Sequence, residues 1–338
     1  MRQAKKTTII DVAKLAGVSV STVSVVINNK DKFVRQDLKE KILTAIRALN
    51  YSPNSIARSL KKQETKTIGL IVTNITSPVT PTMVRTIQRI GYDQGIDTII
   101  IATEENKQVE ISAVNNFVSK MLDGLIICPI ESDDYQHLAY AHQQAGIPIV
   151  SIERNLPPEL GIPSVSTTNF ETSYQAVQHL IVHGRRRIAL IAMPVFGSNT
   201  RDRINGYKRA TEEKGLYDPS LVFQTDYVGS NAYTIAIDLI QNHKVDAIFA
   251  ISQSIALGAY KAAMDCNQKI PNDIALIGYD SVDWMDAIPS PITRIKQPLE
   301  EIATVSANML LQQRGNPDTV LNNVIIPSEL LIKRSCGC

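Results

Sequence analysis

Short apolar runs alternate with amphipathic stretches along most of the chain, and this alternation restricts the fold more than any other feature. Helix-type spacing of apolar residues separates the runs, for example over residues 83–94 and 109–121. Continuous apolar strands with intervening helices are typical of parallel sheets that helices cover on both faces. The runs are residues 68–72, 98–102, 124–128, 148–152, 187–192, 247–251 and 274–280.

The alternation runs through the chain twice, which predicts an α/β body of two similar, doubly wound parallel-sheet lobes. Segment 291–298 has the composition of a connection that crosses between lobes, and segment 322–336 is expected to hold another crossing and a final strand. With crossings near 162, 292 and 322, the predicted first lobe is 65–162 plus 292–321, and the second is 163–291 plus 322–338.

The charge distribution divides the chain into a basic head and an acidic body. Residues 1–62 hold 13 Lys or Arg and 4 Asp or Glu, a net charge of +9, whereas the whole chain carries +2, so the remainder carries −7. A basic segment on an acidic body indicates that the segment meets a polyanion. A basic terminus that is merely solvated is the alternative.

The stretch VSVSTVSVVIN, residues 18–28, has the composition of a strand, because six of its eleven residues are Val or Ile. Its surroundings favour a helix. Thr8 and Asp11 are spaced as a capping box, and Gly17 can end that first helix in the left-handed conformation. Ser19 can then cap a second helix with apolar and polar residues on separate sides, which strand alternation does not reproduce.

A third helix is predicted from about Arg35 to Leu49, where apolar residues recur at helical spacing. Three short helices with a tight turn between the first two form a helix-turn-helix, whose second helix enters the major groove of DNA. We therefore expect residues 1–51 to form a DNA-binding head.

The head resembles that of the lactose-repressor (LacI/GalR) family through TIIDVAKLAGVSVSTVSVVIN and YSPNSIARSLKK, and the resemblance continues through the whole chain. It implies that bases are read by Val20, Ser21 and Val25. Phosphate contacts are implied for Thr22, Ser24 and Asn28, and the contact surface also includes Thr8 and Ser19. Relatives often have Arg at the position of Val25, so we expect a different operator base pair there.

Residues 52–64 begin with Ser52 and Pro53, which suit a helix cap and a first helical turn. A helix this short is marginal alone in water, so a plain linker is the alternative. The family implies a hinge helix that folds on DNA and lies in the minor groove, with Leu60 prying a base step apart. The other implied contacts come from Asn54, Ala57, Arg58 and Lys61.

For the body, the resemblance implies a periplasmic-binding-protein-like (type I) fold with an effector site between the lobes. Arg203 and Asp280 match the family's ligand-binding Arg and Asp, and such charged groups suit a sugar or other polyol. The remaining implied effector contacts are Val79, Glu153, Tyr227, Ser252 and Gln297. Relatives commonly have Asn-Pro-Phe-Phe where residues 77–80 read Ser-Pro-Val-Thr, and often have Asp at the position of Gln253.

No sequence motif predicts catalysis, a cofactor or a metal. There is no G-x-G-x-x-G after a strand, no P-loop and no G-x-S-x-G. His179 and His183 lie four residues apart but lack a third ligand motif, and Cys336-Gly-Cys338 lacks the spacing and the histidine partners of a zinc site. We therefore expect neither an enzyme nor a bound metal.

The combined interpretation is a dimeric transcription regulator, most often a repressor in this family, that binds a near-palindromic operator and responds to a small sugar-like effector. The segment MRQAKKTT has no apolar core, so we expect no secretory signal and a cytoplasmic protein. Control by a protein co-regulator stays open. A solute-binding receptor for transport is disfavoured by the basic head.

If Leu60 wedges a base step, replacing it with Gly removes the wedge and also weakens the hinge helix. We expect Leu60→Gly to weaken operator binding at least tenfold, an order-of-magnitude figure for a lost wedge, and to leave effector affinity intact. Fluorescence anisotropy on labelled operator DNA and calorimetry with effector measure the two. Unchanged operator affinity would contradict the wedge role.

Overall fold

The computed structural model describes residues 7–28, 34–51, 64–226, 229–316 and 319–338. The chain divides into two compact units, residues 1–65 and residues 66–338.

The first unit contains three helices, α1 Ile9–Ala16, α2 Val20–Ile27 and α3 Gln36–Ala48. Helices α1 and α2 meet at 105°, as in a helix-turn-helix. Their shared core includes Val12, Val23, Val26, Ile42 and Ala45, all buried. The prediction that the valine-rich stretch is a helix is confirmed, because its Val residues on one face are needed to close this small core.

The predicted caps of α1 and α2 are confirmed. Thr8 and Asp11 form a complete capping box, and Gly17 ends α1 with a left-handed φ of 68°. The Ser19 side chain accepts a hydrogen bond from the backbone N–H of Thr22 at the start of α2. The short turn Gly17–Ser19 therefore fixes how α2 leaves α1.

The second unit contains twelve strands and nine further helices among its described residues. The strands are β1 Thr67–Val72, β2 Asp97–Ala102, β3 Leu125–Ile127, β4 Ile149–Ile152, β5 Ser164–Thr167, β6 Ile188–Ala192, β7 Val222–Gln224, β8 Ala247–Ala250, β9 Ala275–Tyr279, β10 Thr293–Lys296, β11 Val324–Ile326 and β12 Glu329–Leu331. The helices are α4 Thr80–Asp93, α5 Lys107–Ser119, α6 Gln136–Ala139, α7 Asn169–Val182, α8 Ser198–Glu212, α9 Ala232–Gln241, α10 Gln253–Asp265, α11 Trp284–Ala287 and α12 Leu299–Gly315.

These strands form two six-stranded sheets with the same strand pattern. The first lobe has the order β11-β5-β4-β3-β1-β2, and the second has β12-β10-β9-β8-β6-β7. All pairs are parallel except β10 with β12. In β1, Leu70 and Ile71 are both buried but belong to cores on opposite faces of the sheet. The predicted doubly wound lobes are confirmed.

Strand pairing places each crossing between lobes a few residues after the predicted position. Strands β5 and β11 belong to the first sheet, and β10 belongs to the second. The chain therefore crosses after residues 167, 296 and 326, not near 162, 292 and 322. Segment 291–298, predicted as a connection, contains β10. The physical reason is that these strands are short or partly polar, so they do not stand out as apolar runs.

Among the described residues, no single helix is long and apolar enough to cross a membrane. Helices α1 and α2 reach the required length and composition only as a pair, bent by 105°.

Candidate functional site

Two acidic residues stand at equivalent strand ends of the two lobes. Strand β4, third in the first sheet, is followed by Glu153, and β9, third in the second sheet, is followed by Asp280. Both adopt left-handed backbone conformations, with φ of 62° and 68°. Such conformations cost free energy in a residue with a Cβ and are concentrated at functional sites. The strand ends therefore mark a site where the two lobes meet.

A cleft of about 230 Å³ lies between these strand ends. Both lobes contribute to its walls, as expected for ligand sites at the carboxyl ends of parallel strands. Six residues predicted from the sequence line the cleft: Val79, Glu153, Arg203, Ser252, Asp280 and Gln297.

Arg203 lies buried in the second-lobe wall and is held on three sides. Its Nε donates to Asn169 Oδ1 at 2.9 Å, and its Nη1 donates to the Ile251 carbonyl at 3.1 Å. Its guanidinium carbon lies 3.6 Å from the centre of the Tyr279 ring. A guanidinium fixed in this way presents its planar donors to a ligand in one orientation, with little entropy left to lose.

Two carboxyl groups of the cleft, those of Glu153 and Asp280, have raised pKa values and are harder to ionise than ordinary carboxyl groups. Burial raises the pKa of Asp280, although Arg203 and a hydrogen bond from Gln297 Nε2 at 2.7 Å act in the opposite direction. Burial likewise raises the pKa of Glu153, against the attraction of Arg154 and Arg203. Buried acids with raised pKa values in a cleft are typical of binding and catalytic sites.

An ion pair that the sequence did not reveal also lines the cleft. Arg154 Nη1 donates to Glu105 Oε2 at 2.9 Å, and Nη2 donates to Glu105 Oε1, so the pair is bidentate. Both side chains are almost fully buried. Glu105 follows β2, and Arg154 follows Glu153, so the rule that strand ends share one edge of a sheet could have indicated both. Asn74, Asn199 and Thr200 are further lining residues missed by sequence reasoning.

Direct hydrogen bonds join the lobes beside the cleft. The Phe196 carbonyl in the second lobe accepts from Arg154 Nη1 at 3.0 Å and from the Glu131 backbone N–H at 2.8 Å. The Asn155 backbone N–H donates to Ser198 Oγ at 2.8 Å, and Arg201 pairs with Glu131. These contacts cross between lobes, so any change in the angle between the lobes must break or form them.

In the first unit, the outward face of α2 is small and partly apolar. Val20 is 41% exposed, Ser21 is exposed, and Val25 is half-buried. Ser24 and Asn28 are joined, because Asn28 Nδ2 donates to the Ser24 carbonyl at 2.7 Å. This face carries short side chains that let a helix approach a groove closely.

The comparisons with known proteins agree with this geometry. Residues 8–54 match the model of the bacterial regulatory proteins of the lacI family, and residues 65–334 match that of the periplasmic binding proteins and sugar-binding domain of the LacI family. The chain belongs to the LacI family. Two curated relatives are each 31% identical: the ribose operon repressor of Halalkalibacterium halodurans, with 97% of both chains covered, and the transcriptional repressor PurR of Haemophilus influenzae, with 97% of this chain and 98% of PurR covered.

Among solved structures, the lac repressor dimer bound to operator and the anti-inducer ONPF superposes with a TM-score of 0.85 at 24% identity, covering 98% of this chain and 99% of that one. At this identity the likeness establishes the shared fold. The helix-turn-helix head and the two lobes of this LacI-family chain thus have a counterpart throughout their length.

Some predicted residues lie outside the part of the chain that the structure describes. These are Tyr227 and the hinge residues Asn54, Ala57, Arg58, Leu60 and Lys61, and their roles stay predictions. The departures from the LacI-family pattern at Val79 and Gln253 do fall in the cleft wall. The first lobe therefore offers an aliphatic side chain where relatives commonly have aromatic ones.

The expectation that Cys336 and Cys338 lack a histidine partner is wrong. His179, on α7, is brought beside both cysteines by the fold of the second lobe, and the possible ligand atoms all lie within 4.8 Å of one another. His179 lies 157 or more positions before the two cysteines in the sequence. Spacing along the chain therefore could not indicate this cluster.

The raised pKa of Glu153 has a consequence for stability. The folded state favours the protonated acid, so Glu153 makes its full contribution to the free energy of unfolding below the ordinary pKa of a glutamic acid. This contribution is lost as the pH rises through the folded-state pKa. We expect Glu153→Gln to raise the melting temperature of the ligand-free protein at about pH 8, with a smaller gain at about pH 5. Exposed Glu159→Gln is the control, and a variant less stable than wild type at both pH values would refute this.

Proposed function

We propose that this chain is a transcription regulator that binds a near-palindromic operator as a dimer and responds to a sugar or sugar derivative in the cleft. The observation that carries the proposal is the convergence of charged and amide side chains from two hinged lobes on one cleft, in a chain that also has a helix-turn-helix head. Both curated relatives are named as repressors, so we propose that this chain represses transcription.

The chemistry of the cleft suits a polyol. Carboxylates accept hydrogen bonds from neighbouring hydroxyl groups, and the Arg203 guanidinium donates to hydroxyl oxygens. Amide and hydroxyl side chains, including Asn199, Gln297 and Ser252, add donors and acceptors, while Val79 and Met193 offer apolar surface. The matching family model of this region is that of a sugar-binding domain.

Binding is coupled to DNA through the angle between the lobes. An effector that contacts both walls favours one arrangement of the cross-lobe contacts at Phe196, Ser198 and Arg201 over another. The available energy is the effector's differential affinity for the two arrangements, typically about 1–3 kcal/mol. A shift of the first lobes in a dimer would then alter the spacing of the two hinge segments and the fit of both heads to the operator.

On DNA, α2 is the element that enters the major groove. Val20 and Ser21 at its exposed first turn, with Val25 one turn on, would meet base edges, and Val25 can offer a thymine methyl group only apolar contact. Thr22, Ser24 and Asn28, together with the capping residues Thr8 and Ser19, would lie near phosphates. This function implies the cytoplasm, and it requires binding rather than catalysis.

A second copy of the chain is the partner proposed for the apolar surface along α4. Tyr92 and Ile75 are 80% and 52% exposed, and they border a groove of about 640 Å³ on this helix. The adjoining edge strand β2 leaves its Ile residues half-exposed. An exposed apolar sheet edge beside an apolar helix face tends to associate with another chain, and two-fold pairing would cover the surfaces of both copies at once.

The coupling is tested with Arg203→Lys, which keeps the charge but loses the stacked, planar donor set. We expect effector affinity to fall about tenfold or more, the cost of at least one charge-assisted hydrogen bond, while operator affinity without effector changes little. Fluorescence anisotropy on a library of inverted-repeat DNA identifies the operator. A thermal-shift panel of sugars, sugar phosphates and nucleobases identifies the effector. Arg209→Lys, on the same helix but exposed, is the control.

Two results would contradict the proposed function. One is equal affinity for inverted-repeat and random DNA at every salt concentration, since specific sites should exceed random DNA by about a thousandfold or more. The other is an operator affinity that no panel compound changes in wild type.

The proposed dimer surface is tested with Tyr92→Asp, which places a charge on the apolar groove. We expect sedimentation velocity to show a shift from dimer towards monomer, and operator binding to weaken about tenfold or more because one head alone makes half the contacts. Tyr140→Asp, at a residue 49% exposed in the same lobe, is the control. A Tyr92→Asp protein that remains dimeric would exclude this surface.

A further inference from the structure

The C-terminal segment of the chain lies against the second lobe beside α7. A short 3-10 turn, Arg334–Cys336, buries Cys336 in the lobe's hydrophobic core, and Cys338 remains exposed. The two sulfur atoms are 2.9 Å apart, and Cys336 Sγ also lies 3.2 Å from the Lys333 carbonyl. Neither cysteine forms a disulfide in this structure.

Gly337 creates this arrangement. Its φ of 83° is a left-handed conformation, and a Cβ there would lie 2.9 Å from Arg185 Nη2. Arg185 is itself fixed by a 2.6 Å hydrogen bond to the Pro271 carbonyl. The chain therefore turns at Gly337 with no room for a side chain, and the turn brings both sulfurs to the same side.

His179 on α7 completes the cluster. Its Nε2 is buried and has no hydrogen-bond partner among the described residues, which is uncommon for a buried imidazole nitrogen. Its neighbour His183, four residues on, instead lies with Nδ1 2.8 Å from the His179 carbonyl.

We propose that His179, Cys336 and Cys338 form a binding site for Zn²⁺. Two thiolates and a neutral imidazole are a ligand set that this thiophilic ion prefers, and a fourth position would be open to water. Tetrahedral coordination at Zn–S bonds of about 2.3 Å requires the sulfurs to lie about 3.8 Å apart. Exposed Cys338 can move outward by this amount, while buried Cys336 stays in place.

The proposed ion would join the C-terminal segment to α7, an element that also reaches the cleft. Helix α7 begins at Asn169, whose Oδ1 accepts the hydrogen bond from Arg203, and His179 lies ten residues further on. At 1.5 Å per residue, the two sites are about 15 Å apart along the helix. The metal site is thus separate from the effector cleft, and its test does not depend on the proposed function.

The experiment measures Zn²⁺ binding by the full-length protein kept reduced with a non-thiol reductant. Competition with a chromophoric zinc chelator gives the affinity and stoichiometry, and thermal unfolding gives the stabilisation by the ion. We expect one Zn²⁺ per chain, a higher melting temperature with zinc, and protection of the exposed Cys338 thiol from alkylation.

His179→Gln and Cys338→Ser should each weaken zinc binding about tenfold or more, the loss expected when one of a few ligands is removed. The control is Cys266→Ser, at a cysteine outside the cluster, which should bind zinc as wild type does. Cys336 is left unchanged because it is buried in the core. Circular dichroism on each variant without metal checks that the fold is kept.

Three outcomes would overturn the assignment. Wild type without bound zinc refutes the site, and equal zinc affinity in wild type, His179→Gln and Cys338→Ser places any bound ion elsewhere. In a parallel titration with chelator-buffered Cu⁺, preferential uptake of Cu⁺ that is lost in the same two variants would show that the ion is not zinc.

Discussion

Charged groups held out of water at the facing ends of two parallel sheets are the constraint on which the rest of the structure depends. Parallel strands all end at one edge, so the polar residues that follow them collect there. In this chain Glu153 and Asp280 stand at matching edges in strained backbone conformations, with Arg203 fixed between stacking and hydrogen-bonding partners. Burying such charges costs free energy unless they are paired, and a polar ligand completes the pairing.

The connections between the lobes allow the cleft to open or close in response to a ligand. The chain crosses three times, so the lobes can change their angle but remain joined. Beside the cleft, Arg154 is paired with Glu105 in the first lobe and donates to the Phe196 carbonyl of the second. Because Arg154 has a partner in each lobe, this arrangement of the lobes has its own set of hydrogen bonds. An effector acts by shifting the population of molecules between such discrete arrangements.

Local patterns predicted the helical head and the longer apolar strands, but they missed the short strands β5, β7 and β10 and placed the crossings between lobes a few residues early. The helix-turn-helix followed from caps at Thr8, Gly17 and Ser19, because capping depends on residues three or four positions apart. Strands β5, β10 and β11 were assigned to the wrong lobes, because short or partly polar strands carry little apolar signal and their pairing is decided by distant partners. Six cleft residues were predicted, whereas the Glu105–Arg154 pair was missed because it joins residues 49 positions apart.

By itself, the sequence determined the alternation of strands and helices in two lobes, the helical head with its caps, the family, and most of the candidate residues at the strand ends. The alternation and the caps depend on periodicity and on short-range hydrogen bonds, which can be read along the chain. The strand-end residues followed from the resemblance to the family. Only the tertiary structure decided which lobe β5, β10 and β11 join, which charges become buried pairs, and that His179 lies against Cys336 and Cys338. Those outcomes depend on packing between segments that are far apart in sequence, and no local sequence pattern indicates that packing.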